Sequence, residues 1–247
     1  MPKPIYVVSK GRPESSTCKL LLESGLEFTL VVEEPEAEDY SRWESELLVL
    51  DETDQGNAYA RQSCLNSARE AERKYIWMLD DDITQFYKTK GKRNHPVTAD
   101  LALSGAEKLL DGVGNVGLAS LEYQQFAWSA RRALKFYSYC DVAVYINTSI
   151  PANYDTDFRL KVDRDFALSV LSTGYLTAKI NSYSFAAPKN GSNAGGCHED
   201  YRDERIWSER LVQKWGNGIV KLNIKKDGRP DAKINWAFFS QQQVSGE

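Results

Sequence analysis

The run Lys74-Tyr75-Ile76-Trp77-Met78-Leu79 passes without a break into Asp80-Asp81-Asp82. An apolar run of this kind predicts a strand buried in a core. Adjacent carboxylates repel one another and resist desolvation, so packing does not account for three of them where the strand must end. A divalent cation does, because Mg²⁺ and Mn²⁺ take oxygen ligands and commonly share them with the phosphates of a substrate. An acidic loop, or Asp enrichment at a helix N-terminus, accounts for the same residues without any metal. Taken alone, the triplet leaves both readings open.

Its place in the chain adds a constraint. Apolar runs at 5–8, 28–32, 47–50 and 75–79 predict strands, and 15–24 and 57–73 predict helices, the first stopped by Gly25 and the second opened by Gly56. That order predicts an α/β fold with a mostly parallel central sheet flanked by helices. In such sheets ligands sit beyond the carboxyl ends of the strands. Ser9, Lys10, Gly11 and Arg12, then Glu33 and Glu34, Asp51 and Glu52, and Asp80 to Asp82 all fall at such ends. One crevice is therefore expected to gather them. Further on, helices are expected at 101–110, 163–171 and 204–215, and strands at 116–120, 140–146 and 219–224. A glycine-rich loop is expected at 189–196. No repeat or linker interrupts the pattern, so residues 1–240 are expected to form one domain, with 241–247 as a disordered polar tail.

Several classes are disfavoured. No apolar run approaches the roughly 20 residues that span a bilayer, and 5–8 is too short for the apolar core of a signal peptide. Cys18, Cys64, Cys140 and Cys197 form no CxxC pair, which argues against a zinc site and a disulfide framework. A soluble protein of the cytoplasm is expected. The net charge of -4 means that any nucleic-acid contact must come from a local patch. Two patches qualify, with Lys225-Lys226-Asp227-Gly228-Arg229-Pro230 as a weaker third. Lys88, Lys90, Lys92 and Arg93 follow closely behind the triplet, and Arg131 and Arg132, with Lys135, lie among Tyr123, Phe126, Trp128, Phe136 and Tyr137. Cations hold phosphates and aromatics stack an extruded base, although solvated charges and core aromatics explain the same residues. Arg12 carries a guanidinium fork suited to a phosphate or a base. Arg61 is either a donor contact or a solvated helix residue. Glu33 either accepts from a base or ribose or belongs to an acidic loop before Pro35. Asp163 and Asp165, two apart at a helix start, are explained by helix-dipole acidity alone.

Together these motifs resemble a known group. The Asp triplet behind Asn57-Ala58-Tyr59-Ala60-Arg61, followed by Val162-Asp163-Arg164-Asp165 and Thr173-Gly174-Tyr175, resembles the GT-A fold glycosyltransferases. In their related segment Glu stands where this chain has Val162. With Ser9-Lys10-Gly11-Arg12-Pro13 and Gly191-Ser192-Asn193-Ala194-Gly195-Gly196, the pattern is similar to the TET-associated glycosyltransferases of phages. The resemblance implies a GT-A-like, Rossmann-like sheet, with about 1–100 as the nucleotide-sugar half and about 101–240 as the acceptor half. It implies an inverting hexosyl-type transfer from a nucleotide sugar, a UDP-sugar, to 5-hydroxymethylcytosine in DNA, with Mn²⁺ or Mg²⁺ as cofactor. Ser9, Gly11, Arg12, Glu33, Arg61, Asp80 and Asp81 would line the donor. Asp82, Asp80 and His198 would hold the metal, and Asp163 would be the base. Lys88, Lys90, Lys92, Arg93, Arg131 and Arg132 would meet DNA. Neither a membrane nor an obligate protein partner is implied. Transfer to a glycan, protein or small molecule, a metal-dependent nuclease and a non-catalytic DNA-binding module are the alternatives.

Overall fold

In the structure, a computed structural model that describes residues 1–188, 203–226 and 228–244, the first four apolar runs are strands. They are β1 (Ile5–Val8), β2 (Thr29–Glu33), β3 (Glu46–Leu50) and β4 (Tyr75–Asp80). They pair in parallel in the order β3-β2-β1-β4. Helix α1 (Ser16–Glu23) joins β1 to β2, the short α2 (Ala37–Tyr40) lies between β2 and β3, and α3 (Asn57–Glu70) joins β3 to β4. Ser15 caps α1: its hydroxyl oxygen accepts the Cys18 N–H at 3.1 Å, satisfying a donor that the helix start leaves over. β4 has a neighbour on each side, and Ile76, Trp77, Met78 and Leu79 are all buried. Burial on both faces is why the run shows no polar alternation.

The chain then forms β5 (Gln85–Lys90), β6 (Arg93–Val97), α4 (Ala99–Leu110), β7 (Val116–Tyr123), α5 (Gln124–Ala127), β8 (Leu134–Phe136) and β9 (Ala143–Asn147). Next come α6 (Val162–Ser172), β10 (Leu176–Ala186), α7 (Glu204–Trp215), the hairpin β11 (Val220–Ile224) and β12 (Pro230–Ile234), and α8 (Ala237–Val244). The ten-stranded main sheet has the order β3-β2-β1-β4-β9-β7-β10-β5-β6, with β8 also on β10. Strands β3, β2, β1, β4, β7, β10 and β6 run one way, and β9, β5 and β8 the other. The expected α/β architecture with a mostly parallel sheet is therefore what the chain adopts. Helix α8 continues into the stretch where a polar tail is expected from residue 241.

Two cores cover the two faces. One packs Ile76 and Met78 against α3, α6 and α7; the other packs Trp77 and Leu79 against α1 and α4. α4 approaches β10 so closely that a Cβ on Gly105 would meet the Tyr183 ring and hydroxyl, so a larger residue there requires that side chain to move. No helix among the described residues is long and apolar enough to cross a membrane.

Candidate active site

Val8 is in register with Asp80, so the loop after β1 lies beside the acidic triplet. The backbone of the triplet is fixed from α1: Thr17 Oγ1 donates to the Asp80 carbonyl at 2.6 Å and Ser15 Oγ to the Asp81 carbonyl at 2.7 Å. The three side chains then part company. Asp81 is 3 % exposed and turns toward β1. There it accepts from Ser9 Oγ, and from Arg12 Nη1 at 2.6 Å. Tyr40 OH completes this knot, donating to Ser9 Oγ at 2.7 Å and accepting the Arg12 N–H at 3.0 Å. Asp82 faces the cleft and meets Arg12 Nη1 at 3.2 Å. Gly11, Arg12, Ser16, Asp81, Asp82 and Thr84 line a cavity of about 410 Å³ there, within the range of small-molecule sites.

Asp80 directs one carboxylate oxygen toward α3. Its Oδ1 accepts from Arg61 Nη2 at 2.5 Å, and Arg61 is 1 % exposed. Asn57 Oδ1 accepts from Arg61 Nε at 3.1 Å, and Asp163 Oδ1 lies 4.0 Å from that same Nε. Arg61 therefore sits under two carboxylates that come from opposite halves of the chain. Burial pushes Asp80 up to about 7, with Arg61 opposing the shift and Asp163 and Asp82 adding to it. Asp163 is raised as well, by burial first, and Arg61 again opposes the shift. Its Oδ1 is buried with no hydrogen-bond partner among the described residues.

The structure sorts the residues expected at the site. Asp80, Asp82, Asp163, Arg12, Ser9 and Gly11 converge on the ends of β1 and β4. Asp81 is expected at the donor and does line the cavity, with its carboxylate bonded to Ser9 and Arg12. Arg61 is expected as a donor contact or a surface residue and is neither: two carboxylates neutralise it beneath the cleft, which is what allows a guanidinium to be buried. Glu33 accepts from Lys10 Nζ at 2.8 Å and from the Asp54 N–H at 2.9 Å, so it ties the end of β2 to the loop before α3. Asp165 accepts from Lys214 Nζ and from Trp215 Nε1, both at 2.8 Å, and so anchors α7. Lys88, Lys90, Lys92 and Arg93 do not stay close to the triplet. β5 starts level with the end of β10, Gln85 opposite Ala186, and runs antiparallel to it. The strand thus carries Lys88 about 10 Å and Lys90 about 17 Å away along the sheet. Arg131 and Arg132 are exposed between α5 and β8. His198 and the loop 189–196 lie outside the described residues.

Sequence reasoning missed one buried pair. Lys179, on β10, is 2 % exposed and is bonded to Asp141 just before β9. Its Nζ lies 5.1 Å from the Tyr139 ring and 5.9 Å from the Tyr123 ring. Burial acts to lower its pKa, but Asp141 and Glu122 outweigh that and lift it above the ordinary lysine value. The sequence signal was a single lysine inside the apolar stretch Leu176-Thr177-Ala178-Lys179-Ile180.

Among the described residues no three His, Cys, Asp or Glu side chains form a ready-made metal cage. The donor set nonetheless suits Mg²⁺ or Mn²⁺, which bind through one or two carboxylates plus substrate phosphates. Asp82 in the cleft, with Asp80 beside it, is such a set.

Fold and site define an α/β protein with an acidic, arginine-lined cleft at the carboxyl ends of parallel strands. Residues 3–196 match the family model described as TET-Associated Glycosyltransferase. The chain belongs to that family and is a glycosyltransferase. No curated protein matches the chain. Similar solved structures include A197 from STIV, 10 % identical over 77 % of this chain and 87 % of that one, with a TM-score of 0.46. Another is CMP:2-keto-3-deoxy-manno-octonic acid synthetase complexed with CTP, 10 % identical over 86 % and 99 %, with a TM-score of 0.46.

Proposed function

We propose that the protein transfers a hexose, with inversion, from a UDP-sugar to the hydroxymethyl oxygen of 5-hydroxymethylcytosine in DNA, with a divalent metal as cofactor. One observation carries the reading: Arg61 lies 2.5 Å from Asp80 and 4.0 Å from Asp163. The carboxylate beside the donor cleft and the best-placed base are thereby held around one point, as a direct displacement requires. Asp163 takes the proton of the acceptor hydroxyl as its oxygen bonds to the anomeric carbon, and the bond from that carbon to the diphosphate breaks. A divalent cation held by Asp82 and Asp80 would supply Lewis-acid stabilisation of the departing diphosphate. Arg12, which lines the cavity, adds a guanidinium on the same side. Arg61 orients the two carboxylates without touching substrate.

The test incubates the protein with hydroxymethylcytosine DNA, Mn²⁺ and a panel of sugar nucleotides, followed by mass analysis of the released nucleosides. A hexose mass gain on hydroxymethylcytosine is expected; no gain with any donor overturns the acceptor assignment. The donor side is tested separately. UDP with Mn²⁺ at about 100 times its dissociation constant should stabilise the protein by about 2.7 kcal/mol, read as a rise in melting temperature. Asp82→Asn should lose that rise while its ligand-free melting temperature stays close to that of the parent. A full rise in the variant removes the metal role from Asp82.

A further inference from the structure

Two basic segments far apart in sequence meet on one edge of β10. β5 and β8 occupy successive stretches of that edge. Lys88 is in register with Tyr183, its Nζ 5.7 Å from the ring, and Leu134 is in register with Ile180. Between them Asn181 donates its N–H to the Ala133 carbonyl at 2.7 Å and its Nδ2 to the Arg132 carbonyl at 2.9 Å. The hairpin is tied to the same segment from its other strand, where Asn94 Nδ2 donates to the Gln124 carbonyl at 2.7 Å. The tip of the β5–β6 hairpin and residues 124–135 therefore form one surface.

Its charge is one-sided. Lys88, Lys90, Lys92, Arg93, Arg131 and Arg132 are exposed, and none joins an ion pair among the described residues. The chain has 35 acidic residues against 31 basic ones, yet none falls between Asp82 and Asp100 or between Glu122 and Asp141. Two large aromatics stand among these cations, Phe126 at 57 % and Trp128 at 48 % exposure. The surface adjoins the catalytic side through Tyr139. The ring of that residue lies 5.1 Å from Lys179 Nζ and 5.6 Å from the guanidinium of Arg164, the neighbour of Asp163.

We propose that this surface binds an unpaired nucleic-acid strand, with phosphates on the cations and bases stacked on Phe126 and Trp128. The proposal deepens the DNA-acceptor reading and rests on it for the kind of polymer. Cations that lack carboxylate partners favour a polyanion. Exposed aromatics among them favour unpaired bases, because a base within a duplex offers its neighbours, not the protein, its flat face. The element beside them, α5, has four residues, too few to lie along a major groove as a reading helix does.

The experiment measures fluorescence anisotropy of a short labelled oligodeoxynucleotide without modified bases, single-stranded and as its duplex, with no donor or metal present. The single strand should bind about fivefold or more tightly than the duplex and quench tryptophan fluorescence. A Phe126→Ala/Trp128→Ala variant should lose about 5- to 150-fold in single-strand affinity. Arg131→Gln/Arg132→Gln should lower the slope of log affinity against log salt by about 1.4. Thermal melts confirm that these exposed substitutions leave the fold intact. Equal or tighter duplex binding, or unchanged affinity in the aromatic variant, overturns the proposal. Since donor and metal are left out, strand binding as expected, alongside no sugar transfer to hydroxymethylated DNA, supports this surface and removes the acceptor reading alone.

Discussion

Asp163→Asn should lower sugar transfer by about 10²- to 10⁴-fold, the usual contribution of a positioned general base, and leave folding stability unchanged or higher. The two halves of this expectation share one cause. Asp163 Oδ1 is buried without a hydrogen-bond partner among the described residues, and burial holds the acid form of the group to higher pH than usual. The amide removes a charge that burial disfavours and breaks no hydrogen bond that the carboxylate made through that oxygen, which offsets the loss of one of the two counter-charges of Arg61. Arg61 keeps Asp80 at 2.5 Å and Asn57 at 3.1 Å. A carboxylate that served only the helix dipole would behave in the opposite way, losing about 0.3–1 kcal/mol of stability and no activity. Asp165→Asn is the internal comparison, because its carboxylate is bonded to Lys214 and Trp215. It should lose stability while retaining the residues of the cleft. The raised value also sets a direction for the pH profile. A base that binds its proton more tightly than usual is lost on the acid side sooner, so the acid limb of kcat/KM should lie above the ordinary carboxylate range. Single-turnover transfer, urea unfolding and a pH series measure the three consequences. A stable fold with transfer within about fivefold of the parent would remove Asp163 as the base.

The fold was legible where one signal sufficed. The strands at 5–8 and 75–79 are apolar, bounded by turn residues and buried, and α1 has both its Ser15 cap and its Gly25 stop in the sequence. What failed to show was direction and partnership. β9 is antiparallel to both neighbours, yet a buried apolar strand looks alike in either orientation, since the connections decide it. β10 escaped because Lys179, Asn181 and Ser184 interrupt its apolar pattern while being buried. Their partners, Asp141 and the carbonyl of Arg132 among them, lie elsewhere in the chain. The site followed the same rule. Asp82 could be singled out because strand-end carboxylates are costly wherever they fall. Arg61 could not, because nothing local separates an arginine on a helix surface from one beneath a cleft. Its burial depends on Asp80 and Asp163 arriving from β4 and α6. Likewise the basic hairpin follows the triplet in sequence, but strand direction takes it away in space and delivers it to Arg131 and Arg132.

That dependence makes Arg61 the residue whose loss should cost the fold most. Arg61→Met keeps much of the side-chain volume and the contact with Met78 on β4, but leaves the half-buried Asp80 without its guanidinium. Breaking a buried ion pair from one side costs about 3–5 kcal/mol. The cost should depend on pH in a defined sense. Asp80 already releases its proton only near about 7, and without Arg61 the value moves higher. Acid therefore neutralises the stranded charge and base exposes it. The loss in urea-unfolding free energy should accordingly be larger at about pH 8 than at about pH 5. Asp80→Asn in the same chain removes the stranded charge. The double variant should then recover part of the loss at about pH 8, giving a coupling energy of about 0.5–3 kcal/mol. A uniform loss at both pH values, with no coupling, would mean that Arg61 contributes packing alone. In that event the link between Asp80 and Asp163 would be geometric and not electrostatic. With the expected coupling, one arginine sets the charge of the donor-side carboxylate and lies within 4.0 Å of the acceptor-side base.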